Sequence, residues 1–235
     1  MKVNKWLSIG LDMNMRQSVA VSPVLASPTT IIGYALTMTP IMSGINADGT
    51  WGYGINGTNP IAMVRLNDCV SKSIAPQYIT KASMVLTPFK GITINGSYSW
   101  KRDDSETKAF VKPYDTYENG VFKGSFPTTG SSASEQRSKS VLKQYNLTGT
   151  YENTFGKHYF KGMLGYQSEE LNATYLITGR KNYEYEGYTD IVNGDASTAS
   201  NSSSRTAWSI LSYLYRLNYS FNDKYLLEIN GRFDG

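Results

Sequence analysis

A single histidine, His158, and a single cysteine, Cys69, limit the chemistry open to this chain. Any acyl transfer built on serine or cysteine would need His158 as its base. In the sequence that residue closes a short turn, Asn153-Thr154-Phe155-Gly156-Lys157. One Cys and one His cannot assemble a zinc donor set, and a lone thiol closes no internal disulfide. Adjacent carboxylates occur at Asp103-Asp104 and Glu169-Glu170, both beside long polar segments, where they read as solvated loop charges. Asp190-x-x-Asn193-Gly194-Asp195 is similar to an acidic calcium loop, but lacks the spacing and terminal Glu of an EF-hand; an ordinary Asn-Gly turn accounts for it. No catalytic residue, metal ligand or cofactor site is therefore expected. Binding is another matter. Aromatic side chains fall in the loops at Trp51 and Tyr53, then at Tyr183, Tyr185 and Tyr188 in K-N-Y-E-Y-E-G-Y. Rings with one apolar face beside hydrogen-bonding groups suit sugar or peptide ligands. The competing reading is that they pack the loops together or against a partner.

The elements that would carry these loops show best near the C-terminus. From Leu211 to Phe221 every second residue is apolar or aromatic: Leu211, Tyr213, Tyr215, Leu217, Tyr219, Phe221. Ser212, Arg216, Asn218 and Ser220 lie between them, with Leu214 the exception. After the turn Asn222-Asp223-Lys224 the apolar row resumes at Tyr225, Leu227, Ile229 and Phe233. Period two marks a strand with one greasy and one polar face. Trp6 to Arg16 alternates as cleanly, with Leu7, Ile9, Leu11, Met13 and Met15 on one side. Shorter alternating runs cover Gln77–Leu86, Ile92–Lys101, Val141–Tyr151 and Phe160–Glu169. Between the first two strands, Ser27 to Thr39 reads as one short loop helix, with Ser27 as cap, Pro28 at the first helical position and Pro40 ending it. The glycines at 49, 52, 54 and 57 read as consecutive turns, since no Lys-Ser/Thr follows them to make a phosphate loop.

Seven strands result, and their connections alternate. The turns near 88–91, 153–157 and 222–224 are short, whereas the linkers near 17–75, 102–139 and 170–204 are long. Short turns at one end and long loops at the other are the habit of outer-membrane barrels. The composition agrees. Mean hydropathy is −0.37 and no run of about twenty apolar residues exists, which excludes a helical membrane protein but not a barrel. The 4 Trp, 18 Tyr and 8 Phe suit interfacial girdles. A net charge of +4, scattered along the chain, gives no nucleic-acid footprint. The expected fold is all-β: an antiparallel up-and-down meander of about seven strands, with long extracellular loops. Since seven strands cannot close in lipid, residues 1–235 are expected to be a fragment of a larger barrel domain.

At this point the residues resemble a family. A-W-S-I-L-S-Y-L-Y-R-L-N-Y-S-F-N-D-K-Y-L-L-E-I-N-G-R-F-D-G (207–235) looks like the signature hairpin of SusC/RagA-type TonB-linked outer-membrane transporters. T-F-G-K-H-Y-F-K-G-M-L-G-Y-Q (154–167) resembles the hairpin before it. Ala35-Leu36-Thr37-Met38-Thr39-Pro40, Ala47-Asp48-Gly49-Thr50 and Asn59-Pro60 resemble a surface loop. The resemblance implies a 22-stranded transmembrane barrel in the outer membrane of a Gram-negative bacterium. Its outer face would meet membrane lipid. A plug, absent from these residues, would connect it to the TonB complex, and a SusD-like surface lipoprotein would help capture oligosaccharides or peptides. The alternative is a soluble β-rich module that binds glycans through the same aromatics.

Overall fold

The computed structural model describes residues 2–66, 69–185 and 187–235. Seven strands make one antiparallel sheet: β1 (Leu7–Pro23), β3 (Val70–Leu86), β4 (Ile92–Val111), β7 (Ser132–Phe155), β8 (His158–Lys181), β9 (Ser200–Phe221) and β10 (Tyr225–Asp234). They lie side by side in that order, each paired with its predecessor, so the sheet is open with β1 and β10 at its edges. Register is continuous, without a bulge, from Phe155↔His158 to Ser132↔Lys181 in one hairpin and from His158↔Phe221 to Gly179↔Ser200 in the next pair. A second, three-stranded sheet unites β2 (Trp51–Gly52), β5 (Tyr114–Glu118) and β6 (Val121–Phe126).

The seven-stranded meander agrees with the sequence reading, but the strands are much longer than the alternation predicts. Strand reaches into both ends of the linkers expected at 17–75, 102–139 and 170–204: β1 runs on to Pro23, β4 to Val111 and β8 to Lys181, while β3, β7 and β9 start at Val70, Ser132 and Ser200. The physical reason is plain in Arg102–Lys108 and Ser200–Arg205, which are polar at every position. A sheet with water on both sides has nothing to alternate.

At the other end the turn expected at 153–157 is tighter than the sequence reading, and the one at 222–224 falls where it was expected. Phe155 pairs with His158 across Gly156-Lys157 alone, with Gly156 at φ +62 in the first turn position, where a primed two-residue hairpin turn calls for glycine. Asn222 and Asp223 both take positive φ, and the Lys224 N–H donates to the Phe221 carbonyl at 3.0 Å. Asn and Asp are the side chains best suited to that backbone.

Two helices stand between β1 and β3. Helix α1 spans Pro28–Thr37, with the Ser27 hydroxyl accepting from the Thr30 N–H at 3.2 Å, as the cap-and-proline signal predicts. Helix α2 (Pro60–Arg65) follows the glycine turns, in the part of the 17–75 linker where no helix was expected. Its start carries the same signal, Asn59 as cap and Pro60 next, hidden behind the preceding glycines.

Candidate functional site

The large sheet sorts its side chains by face. Cross-strand partners share a face, so the register lines up Leu7–Met15 of β1, Ala82–Leu86 of β3, Ile92–Ile94 of β4, Leu147 of β7, Leu164 of β8, Leu211–Leu217 of β9 and Leu227–Ile229 of β10. Every second residue in those rows is apolar, and the band is solvent-exposed: Met13 is 74% and Leu164 is 72% exposed. No second layer covers it among the described residues. An uncovered apolar face spanning seven strands is far larger than a soluble monomer tolerates. On β4 the row runs from Ile92 to Trp100, and on β9 from Leu211 to Phe221, the nine to eleven residues a tilted strand needs to cross hydrocarbon.

Rings border the band at both ends. Toward the short turns, Phe160 and Tyr219 meet at 4.8 Å between centroids, and Phe221 and Tyr225 at 6.4 Å. Toward the long connections, Tyr98 and Tyr145 meet at 4.7 Å and Tyr166 and Tyr213 at 5.8 Å. Rings at both ends of an apolar band are the arrangement of the two aromatic girdles of a membrane barrel. His158 belongs to the lower one. Its Nδ1 lies 2.8 Å from the Tyr219 hydroxyl and its ring packs on Phe221, a structural setting for the residue on which any triad would depend.

The opposite face is a polar ladder. Asp103 accepts from Gln77 and pairs with Lys101 at 3.0 Å. Gln144 donates to Glu169 at 3.1 Å, and Glu228 gathers Asn218, Asn230 and Arg216. Neighbouring residues of a strand point to opposite faces. Asp103 therefore lies inward while Asp104 pairs with Arg102 at 2.7 Å on the outward face. Glu169 and Glu170 divide in the same way, Glu170 facing Lys143 at 3.7 Å. Neither carboxylate pair can converge on one bond.

Beyond the upper girdle the long connections fold into a cap. Ile31 of α1, Ala62 and Met63 of α2 and Tyr114 of β5 form its core, with Trp51, Tyr34 and Phe126 packed around them. Asn59 is the central polar residue of the cap. Fully buried, it donates from Nδ2 to the Gly44 and Gly52 carbonyls at 2.7 and 2.9 Å. Its Oδ1 accepts from the Ile61 and Ala62 N–H groups, and its own N–H donates to the Tyr114 hydroxyl at 2.9 Å. Burial pushes the Tyr114 phenol up from the ordinary 10.0 to about 12. The folded cap thus keeps this proton after the unfolded chain has lost it. Stability is fully present below about pH 10 and is lost as pH rises toward about 12. Protease resistance of the cap is expected to fall across that window, and Tyr114→Phe is expected to flatten the fall; an unchanged pH profile in the variant would contradict the assignment.

The five loop aromatics fare differently. Trp51 is half-buried against the cap core, and Tyr53 is half-buried where its N–H donates to the Tyr117 carbonyl at 2.9 Å. Tyr185 and Tyr188 are exposed, at 68% and 67%. Tyr183 is not the open loop ring its sequence setting suggests: it is 6% exposed, edge-on to Phe110 at 5.2 Å, in a cluster with Ala133 and Ile191. The pull is packing, since the 182–199 connection folds back over the outward face and needs an anchor there. Asp195, in the candidate calcium loop, accepts from the Ser197 N–H and hydroxyl at 2.9 and 2.8 Å, bonds that hold its carboxyl below the usual range.

Comparison with known proteins bears on this arrangement. No family model matches the chain. A TonB-dependent receptor of Formosa agariphila is 24% identical over 215 residues, covering 87% of this chain and 21% of the receptor. The solved structure of the RagAB peptide transporter superposes on 99% of this chain and 26% of its own, with a TM-score of 0.73 at 18% identity. The RagAB peptide importer in its "open-open" state gives the same TM-score at 20% identity. The chain has the fold of a section of the matched transporter chain. The chain spans about a fifth of the receptor and a quarter of the transporter chain it matches. The single-layered sheet and these relatives disfavour the soluble glycan-binding module. Both relatives are named for reception or transport rather than for catalysis.

Proposed function

We propose that the chain forms part of the wall and rim of a nutrient importer in the outer membrane of a Gram-negative bacterium. The observation that carries this reading is the uncovered apolar band, one membrane thick, backed by a polar inner face and topped by a folded cap. In this proposal a plug region links the wall to the TonB complex, and a SusD-like lipoprotein shares solute capture at the rim. Peptides are the favoured cargo over oligosaccharides, because RagAB is described as a peptide importer and a quarter of its chain matches 99% of this one. Tyr53, Tyr185 and Tyr188, the rings left accessible at the rim, are the proposed solute contacts. Trp51 and Tyr183 would support the loops that carry them.

Uptake by the receptor that contains this section provides the test. With Tyr185→Ala and Tyr188→Ala combined, uptake of labelled peptides is expected to fall severalfold at unchanged receptor level in the membrane. Unaltered uptake of both peptides and oligosaccharides would remove these rings from solute capture. Unaltered growth on either class after deletion of the gene would defeat the importer reading itself.

A further inference from the structure

We infer that the outward side of the sheet, just above its upper aromatic girdle, is a binding site for a phosphorylated glycolipid of the outer leaflet. The inference rests on the membrane-wall reading and adds a specific lipid contact to it. On the face that carries the apolar band, the residues beyond the rings turn abruptly from apolar to charged. Lys143 stands level with Trp100, Arg102 two residues beyond it, and Lys139, opposite Asp104, four residues beyond it. At about 3.3 Å per residue these cations sit roughly 0 to 13 Å past the ring row along the strand. That is the depth at which lipid headgroups begin.

The surface there is concave. A cleft of about 590 Å³ opens among Ile74, Pro76, Arg102, Arg137, Lys139 and Leu176. Four residues further along the strands, Tyr183 and Ile191 pack on Phe110 and Ala133, and Arg180 Nη1 donates to the Val192 and Gly194 carbonyls at 3.1 and 3.2 Å, so the returning chain lies beyond the cleft and leaves it open. An outward cleft with Ile74, Pro76 and Leu176 among its charged and polar walls has room for a headgroup whose acyl chains continue downward onto the band.

Its charges are unevenly committed. Arg102 is held by Asp104 through two contacts, at 3.0 and 2.7 Å. Arg137 only grazes Glu106 and Glu135, both at 3.7 Å, and Lys143 lies 3.7 Å from Glu170. Lys139 has no ion pair among the described residues, although Asp104 lies directly across from it. A cation left unpaired at headgroup depth, with two loosely held cations on either side, is complementary to a phosphate. The carboxylates of Asp104 and Glu106 in the same cleft fix where that anion can lie, on the Lys139 side.

The test uses the whole receptor, purified in detergent, with native mass spectrometry as readout. Four probes are compared: bisphosphorylated lipid A, its dephosphorylated form, phosphatidylglycerol and inorganic phosphate. Retention of bisphosphorylated lipid A alone is expected. Lys139→Gln is expected to weaken it about tenfold, with recovery in Lys139→Arg. Lys139 is exposed to solvent or lipid rather than packed in a core, and the anomalous gel mobility of an unboiled barrel verifies folding of each variant. Equal retention of the dephosphorylated lipid or phosphatidylglycerol would overturn the proposal, as would an undiminished Lys139→Gln signal. Binding of inorganic phosphate with equal affinity would assign the cleft to a free anion instead. A receptor stable in water without detergent would defeat the wall reading first, so the two failures are distinguishable.

Discussion

Replacing Asn59 by alanine is expected to unfold the rim cap at a cost of roughly 3–5 kcal/mol, with the seven-stranded wall intact. The magnitude follows from what one side chain does. It caps α2 by accepting from the Ile61 and Ala62 N–H groups, and it also donates to two carbonyls, Gly44 and Gly52, of the loop that precedes the helix. Alanine removes the cap and takes the Asn59 donor from the buried Gly52 carbonyl, while Gly44 keeps only the longer bond from the Gly52 N–H at 3.2 Å. Asn59→Asp keeps both acceptor bonds but sets a negative charge against the same carbonyls, so it is not expected to rescue the cap. Trypsin cleavage after Arg65 reads the outcome, with at least tenfold faster cutting in Asn59→Ala expected. A cutting rate equal to the parent's would mean that the cap does not depend on this residue.

A charge placed in the middle of the outward band is expected to have a comparable effect on the wall. Leu164 lies halfway up its row, between Phe160 and Tyr166, and opposite Gly149 and Tyr215. Leu164→Arg is expected to destabilise the membrane-inserted barrel by about 2–4 kcal/mol, the cost of a guanidinium near the bilayer midplane. Gln167→Arg, three residues on and directed inward beside Ser212, provides the contrast. It is expected to leave stability near that of the parent. Guanidinium unfolding in lipid vesicles measures both. Equal losses for the two variants would show that the faces are not divided between lipid and lumen.

How much of this was legible in the residues depended on where water lies. Within the bilayer span the alternation was unmistakable, because lipid on one side and a polar interior on the other force a different choice at each successive residue. Leu7–Met15 and Leu211–Phe221 are of this kind. Above the membrane both faces meet water, and the same strands dissolve into Ser, Asp, Lys and Thr with no period to follow. For that reason Arg102–Val111 and Ser200–Ser204 read as loop although they are strand. The hairpin formed by β5 and β6 turns on Asn119-Gly120, both at positive φ, a signal present in the sequence but lost in a polar stretch. Tyr183 shows the converse limit. Its neighbours are those of an open loop, and only the return of the 182–199 connection onto Phe110 reveals a buried anchor. The charged cleft needed the structure as well, since Arg102, Arg137 and Lys139 come from two different strands.

The two free edges carry a parity. With seven strands alternating in direction, β1 and β10 point the same way across the membrane. Identical copies standing side by side, all with their caps upward, would therefore bring like-directed strands together at every seam. A ring whose neighbours all run head to foot must instead be finished by an odd number of further staves, which self-association in one orientation cannot supply.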